Sequence, residues 1–182
     1  MTDNKEPKYW FVLRDFKKFN AKNPAYKVLP ELGVECFTPM HWTVVKKKDG
    51  TMDRVYVPVM QNLLFAHATR ASLDPVIRDT DKLQYQFARG TLQGTPMIVP
   101  DADMERFVNA VNTDSSTIYY TPSELTPDMV GKEIIVTGGP LDGYTGKLLK
   151  MQGSKKKRLI VELKGYFAAA VEVNPEYVKL VK

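Results

Sequence analysis

Apolar and polar positions along this chain change period several times, and each change marks an element. Tyr9-Trp10-Phe11-Val12-Leu13 is aromatic and β-branched, the composition of a buried strand. Asn23-Pro24 reads as a helix start, with Asn23 as N-cap and Pro24 in the first turn. The helix would run to a stop at Gly33, shortened or kinked by Pro30. Val34 to Pro39 follows as a second strand. Residues 42–66 read as a long β-hairpin: WTVVKKK and DRVYVPVM flank Asp49-Gly50, a strong hairpin-turn dipeptide. A strongly apolar strand continues over Asn62–Ala68. A short helix is expected over Ser72–Thr80, capped by Ser72 or Asp74 with Pro75 in its first turn, and Leu83–Ala88 alternates as a strand. Pro100–Val111 is the clearest helix, with acidic residues in its first turn and Met104, Phe107, Val108 and Val111 at helical spacing.

Residues 113–127 lose all periodicity and are dominated by Ser, Thr and Pro, which predicts a flexible linker. Beyond it, residues 131–173 place three Ile/Val/Leu-rich runs between turns that carry Gly131, Gly138, Gly139, Gly143 and Gly146. Glycine is used where the backbone needs positive φ or must pass close to another strand, so this spacing describes a small, tightly curved β-barrel. The runs Ile134-Ile135-Val136 and Leu159-Ile160-Val161 favour strand over helix. The fold class is therefore α+β: an antiparallel sheet flanked by helices over 1–112, a linker over 113–127 and a small barrel over 128–182.

Composition narrows the chemistry. The 182 residues are 43% hydrophobic and 26% charged, ordinary for a globular protein. No apolar run approaches the roughly 20 residues of a membrane span. The polar N-terminus lacks the apolar core of a signal peptide, so a cytoplasmic, reducing location is expected. One cysteine, Cys36, excludes an intramolecular disulfide and a cysteine-based zinc site. His41 and His67 are the only histidines, and the carboxylates occur singly on turns and helix starts. Gly138-Gly139-Pro140 lacks the Lys-Ser/Thr and helix of a phosphate-binding loop. No acid/base pair, activated nucleophile or cofactor site emerges, and no catalysis is expected. The net charge of +5 is mild and its excess local: Lys46-Lys47-Lys48, Lys155-Lys156-Lys157-Arg158, and Lys17-Lys18 near Arg14 and Lys22. Such clusters suit a brief contact with phosphates, or simply solvated turns.

Taken together, the two halves resemble a known family. The C-terminal segment resembles the KOW motif of the NusG/RfaH transcription elongation factors through Gly131, Val136, Gly139-Pro140, Gly143, Gly146, Lys157-Arg158-Leu159 and Val171-Glu172-Val173. Tyr9–Leu13 resembles the family's opening strand, Glu35–Met40 its second-strand phrase, Val57–Phe65 its P-L-F-P-G/N-Y-x-F-V segment, and Pro96–Asp101 with the following helix its closing element. Asn62, Ile98-Val99-Pro100, Arg14 and Glu35–Pro39 look most like the UpxY-type antiterminators of capsular polysaccharide operons.

The resemblance implies an N-terminal NGN domain that binds the clamp helices of RNA polymerase through an apolar surface, at positions matched here by Tyr56, Met60, Leu63 and Phe65. It also implies contact with the non-template DNA strand near Arg14, Lys17 and Lys18, with stacking on Phe16 or Phe19. Lys47 and its neighbours lie where family hairpins approach upstream DNA or the polymerase lobe. The KOW barrel would recruit a second partner, a NusE-type ribosomal protein or Rho. A monomer with no cofactor and no membrane contact is expected. Two other readings stand beside it, a general NusG-type elongation factor and a ribosome-associated KOW protein; the second would not explain Trp10 or the Met60–Phe65 segment.

Overall fold

The structure, a computed structural model, describes residues 6–18, 21–87 and 94–181. By its internal contacts the chain divides into two compact units between Asp101 and Ala102.

The first unit is built on strand β1 (Tyr9–Asp15) and strand β5 (Leu64–Ala68), which pair antiparallel with Tyr9 opposite Ala68 and Leu13 opposite Leu64. Strand β2 (Glu35–Phe37) flanks β5 on its far side. Strands β6 (Leu83–Tyr85) and β7 (Ile98–Val99) both pair with β1. Alternation sends Phe11, Leu13, Leu64, Ala66 and Ala68 to one face. There they meet Ala25 and Leu29 of helix α1 (Ala25–Glu31) and Leu73 of helix α2 (Arg70–Asp79) in one buried cluster. Strands β3 (Met40–Lys46) and β4 (Met52–Pro58) form a separate two-stranded hairpin, its turn at Asp49-Gly50 as the dipeptide predicts. Gly50 takes φ +87 there.

Local capping departs from expectation. Asn23 does not cap α1; the helix begins after Pro24 with no side-chain cap of its own. The buried carboxylate of Asp15, at the end of β1, accepts from the Ala25 amide at 2.7 Å instead. The helix thus takes its cap from the strand it packs beside. Pro30 cannot donate to Tyr26 O, and that carbonyl accepts from the Cys36 thiol at 3.8 Å instead. Gly33, at φ +75, closes the helix with Gly33 N donating to Pro30 O and Val34 N to Leu29 O. Helix α2 is capped by Thr69, whose side chain accepts from Ser72 N at 3.1 Å, rather than by Ser72 or Asp74. The end of the expected strand Leu83–Ala88 lies outside the described residues.

The second unit holds helix α3 (Asp101–Asn112) from Ala102 onward, together with a six-stranded antiparallel sheet. Its strands are β8 (Ile118–Tyr120), β9 (Val130–Val136), β10 (Thr145–Leu149), β11 (Lys157–Leu163), β12 (Phe167–Val173) and β13 (Val178–Leu180), in the order β13-β9-β10-β11-β12-β8. The Ile134–Val136 and Leu159–Val161 runs are strands, as their β-branched composition predicts. Gly146 shows why glycine is needed: a Cβ there would sit 2.8 Å from Ile160 O and 2.9 Å from the Leu159 side chain. By internal contacts α3 from Ala102 onward belongs to this unit, so the first unit ends at 101 where the sequence placed its boundary at 112. Phe107 lies 6.5 Å from Phe167, and the Tyr144 hydroxyl donates to Arg106 O at 3.0 Å.

The expected linker is the larger correction. Residues 113–127 contain β8, which adds to the edge of β12 with Tyr119 opposite Ala169. Arg158, only 6% exposed, holds this segment: it donates to Ser116 O at 2.9 Å, to Ala170 O at 3.3 Å and to Asp114 Oδ2 at 3.5 Å. Asp114 Oδ2 also accepts from Glu172 N at 2.9 Å, and Oδ1 from Ser116 N at 2.7 Å. Side-chain hydrogen bonds to the backbone are invisible to hydrophobic periodicity, so a Ser/Thr-rich ordered segment reads as a linker.

Burial pushes the Asp114 carboxyl up, but the amides of Glu172 and Ser116, the Ser116 hydroxyl and the Arg158 guanidinium outweigh it and hold its pKa below the ordinary 3.8. A depressed carboxylate adds stability that is complete above the unfolded value and is lost as pH falls through the folded one. The melting temperature of the wild type should therefore fall below about pH 4. Asp114→Asn should lower the melting temperature at pH 7 and flatten that acid limb; an unchanged acid limb would contradict the assignment. In the first unit, Leu64→Ala should cost about 2–5 kcal/mol in denaturant melts, whereas Val44→Ala on the exposed hairpin should stay within about 0.5 kcal/mol.

Candidate interaction surfaces

The four residues expected on an apolar contact surface separate into two groups. Tyr56 stands on β4, 51% exposed, and Met60 is half-buried in the turn that follows. Phe65 is fully buried and Leu63 is 4% exposed, so neither presents a surface here. The reason is the place of β5, an interior strand between β2 and β1. Leu64 and Ala66 enter the helix-covered core, while Phe65 turns to the opposite face, across from Val12 and Phe37. Its ring lies 6.5 Å from that of Phe37 in a stacked arrangement. Leu63 is fixed from the backbone, its carbonyl accepting from the Thr38 hydroxyl at 3.0 Å.

The hairpin is exposed where β5 is not. Trp42 and Tyr56 face each other across β3 and β4, their ring centroids 5.1 Å apart, and the Arg54 guanidinium lies 4.9 Å from the indole centroid. Trp42 is 58% exposed, Val44 57% and Met52 65%. Sequence reasoning located this hairpin but missed its outward face. The signal was present in the alternation of WTVVK against MDRVY, which puts Trp42, Val44 and Lys46 opposite Tyr56, Arg54 and Met52.

The cations expected to meet nucleic acid each have a local partner or lie exposed. Arg14 donates to Gln86 Oε1 at 3.1 Å from its half-buried place on β1. Lys17 curls back to Asn23 O at 3.1 Å, and Lys18 is exposed. Lys47 pairs with Asp53 at 3.1 Å. Phe16 is 54% exposed beside Lys17, while Phe19 lies outside the described residues. In the Lys155–Lys157 turn, Lys156 pairs with Glu172 at 2.6 Å.

The side chains with chemistry are occupied locally. His67 stacks on Trp10 at 4.9 Å and shares a 2.9 Å contact with Glu35 Oε2. Burial, then the neighbouring Glu35 charge, pushes the Cys36 thiol up to about 11, so it is protonated at neutral pH and a poor nucleophile. Among the described residues no group of three His, Cys, Asp or Glu side chains could hold a metal ion. No helix among them is long and apolar enough to cross a membrane.

Comparison with known proteins adds the family. A family model described as "Transcription termination factor nusG" matches residues 8–108, over half of the chain. The match runs from just before β1 to the end of the first unit and into α3. No curated protein matches. Solved structures that match include NusG from Thermotoga maritima, from work on its domain interaction. That chain is 15% identical, with 96% of this chain and 98% of that one covered and a TM-score of 0.49. On the family match, the chain belongs to the NusG family, non-enzymatic transcription factors that bind RNA polymerase and regulate elongation and termination.

Proposed function

We propose that this protein is an operon-specific antiterminator of the UpxY type, gripping the polymerase clamp through its N-terminal NGN domain and recruiting a second partner through a C-terminal KOW barrel. The supporting observation is the family match over residues 8–108, which coincides with an exposed aromatic and apolar surface at Tyr56. Within that surface Tyr56 and Met60 make the contact, while Leu63 and Phe65 are buried. The resemblance of Asn62 and Ile98-Val99-Pro100 to specialised paralogues favours the operon-specific branch over a general NusG-type factor. The second unit supports the KOW reading through the spacing of Gly131 and Gly146, each with a backbone oxygen within 2.9 Å of where a Cβ would be. A NusE-type ribosomal protein or Rho is the partner class such a barrel would take.

The mechanism is a difference in affinity between two polymerase conformations. A factor that binds the closed clamp better than the open one shifts the population toward the closed form, and by no more than that difference. Tenfold preference corresponds to about 1.4 kcal/mol, enough to suppress a pause whose two states are nearly balanced. No proton transfer or covalent step is required of any side chain.

The test pairs a pull-down on purified core polymerase with transcription through a pause and a terminator. The full chain should be retained and should increase read-through. Tyr56→Ala combined with Met60→Glu should reduce retention at least about tenfold with the fold intact by circular dichroism. No retention of the wild type, or full retention of the double variant, would overturn the reading. Read-through at every terminator regardless of template would instead favour a general elongation factor.

A further inference from the structure

Among the described residues the buried polar or charged side chains are those of Asp15, Thr38 and Arg158. Asp15 caps α1 and Arg158 holds the segment before β8, which leaves Thr38. Its hydroxyl donates to Leu63 O at 3.0 Å, across 25 positions of sequence. These two residues stand where the hairpin joins the sheet. Strand β2 ends at Phe37, opposite Phe65, and β3 starts at Met40, opposite Pro58. Continuing the β2–β5 register would bring Pro39 opposite Leu63, and a proline has no N–H to donate. The Thr38 hydroxyl supplies a donor at that point instead. Beside it, Val59 N donates to Pro39 O at 2.8 Å, and Leu63 N closes a turn on Met60 O at 3.4 Å. Residues 59–63 are therefore held at both ends, and the half-buried Met60 lies between the two attachments.

We propose that Thr38 is a positioning residue for the polymerase contact: its hydroxyl pins the Met60–Leu63 turn to the end of β2 and so fixes where Met60 stands. The Val59–Pro39 attachment is backbone to backbone and any sequence can make it, whereas the one at Leu63 depends on the side chain at 38. Without the hydroxyl, Leu63 O is a buried acceptor left unsatisfied, and the turn lowers that cost by moving toward water. Molecules with the turn displaced present Met60 wrongly, so the apparent affinity falls with the fraction that keeps it in place. Thr38 itself is buried and touches no partner; it acts through Met60. The assignment rests on the proposed clamp contact and adds to it the residue that sets its geometry.

Thr38→Val keeps the shape of the side chain and removes its hydroxyl, while Thr38→Ser keeps the hydroxyl and removes the methyl group. Titrated as full chains against purified core polymerase, Thr38→Val should bind about three- to tenfold more weakly per folded molecule, and Thr38→Ser should recover most of that loss. Thr69→Ala removes the cap of α2 and serves as the stability control; it should leave the affinity unchanged. In the free chain, hydrogen exchange at Val59 and Leu63 should quicken in Thr38→Val, with Leu64–Ala68 as slow as in the wild type. The assignment is overturned if Thr38→Val binds like the wild type, or if Thr38→Ser or Thr69→Ala loses as much affinity as Thr38→Val. It is also overturned if exchange in Thr38→Val quickens across β1 and β5 alike, the mark of a residue that only stabilises the fold. Absence of wild-type binding overturns the clamp contact and this assignment together, whereas wild-type binding with an unaltered Thr38→Val overturns this assignment alone.

Discussion

The pairing of β1 with β5 is the constraint on which the first unit depends. It places Val12 opposite Phe65 and Leu13 opposite Leu64, and both strands are interior to the sheet. An interior strand has its backbone groups satisfied on both sides and its side chains divided between two faces. Both faces are covered at Val12, Leu64 and Phe65, so these three side chains offer no surface to a partner. The apolar segment that resembles a family contact surface is thereby committed to folding. The β3–β4 hairpin, which pairs only with itself, exposes Trp42, Val44, Met52 and Tyr56 instead.

A comparable commitment organises the second unit. Arg158 is buried on β11, and a buried guanidinium must find acceptors or cost several kcal/mol. Its Nη1 finds them in Ser116 O, Ala170 O and the Asp114 carboxylate, drawing the segment before β8 against the sheet, while the buried Nε has no hydrogen-bond partner among the described residues. The segment following α3 is therefore a structural strap, and the chain spends its Ser and Asp residues there on backbone hydrogen bonds.

Much of this was legible in the sequence, and the divisions follow from the kind of signal involved. Asp49-Gly50 located its turn because φ > 0 is a property of one residue. Ile134–Val136 and Leu159–Val161 read as strands because β-branching acts locally, and Gly146 because the strand beside it leaves no room for a Cβ. What failed was nonlocal. Asn23 has the chemistry of a cap, yet Asp15, ten residues earlier, reaches Ala25 first. Residues 113–127 lack periodicity, yet Arg158 orders their first part from more than forty residues away. Phe65 and Tyr56 are equally plausible surface aromatics in sequence. Only strand order separates them, one interior and the other on a free hairpin. The family match and the contact division likewise cut the chain at different places because sequence inheritance and packing are separate properties: the match runs to 108, while α3 packs in the second unit.

The central claim is that the hairpin, and not β5, is the surface this protein offers to the transcription machinery. Hydrogen–deuterium exchange of the full chain with and without core polymerase addresses it directly. The account predicts new protection over residues 40–60, with the amides of Leu64–Ala68, already slow in the free protein, unchanged. New protection or altered exchange at Leu64–Ala68 with none in the hairpin would contradict it.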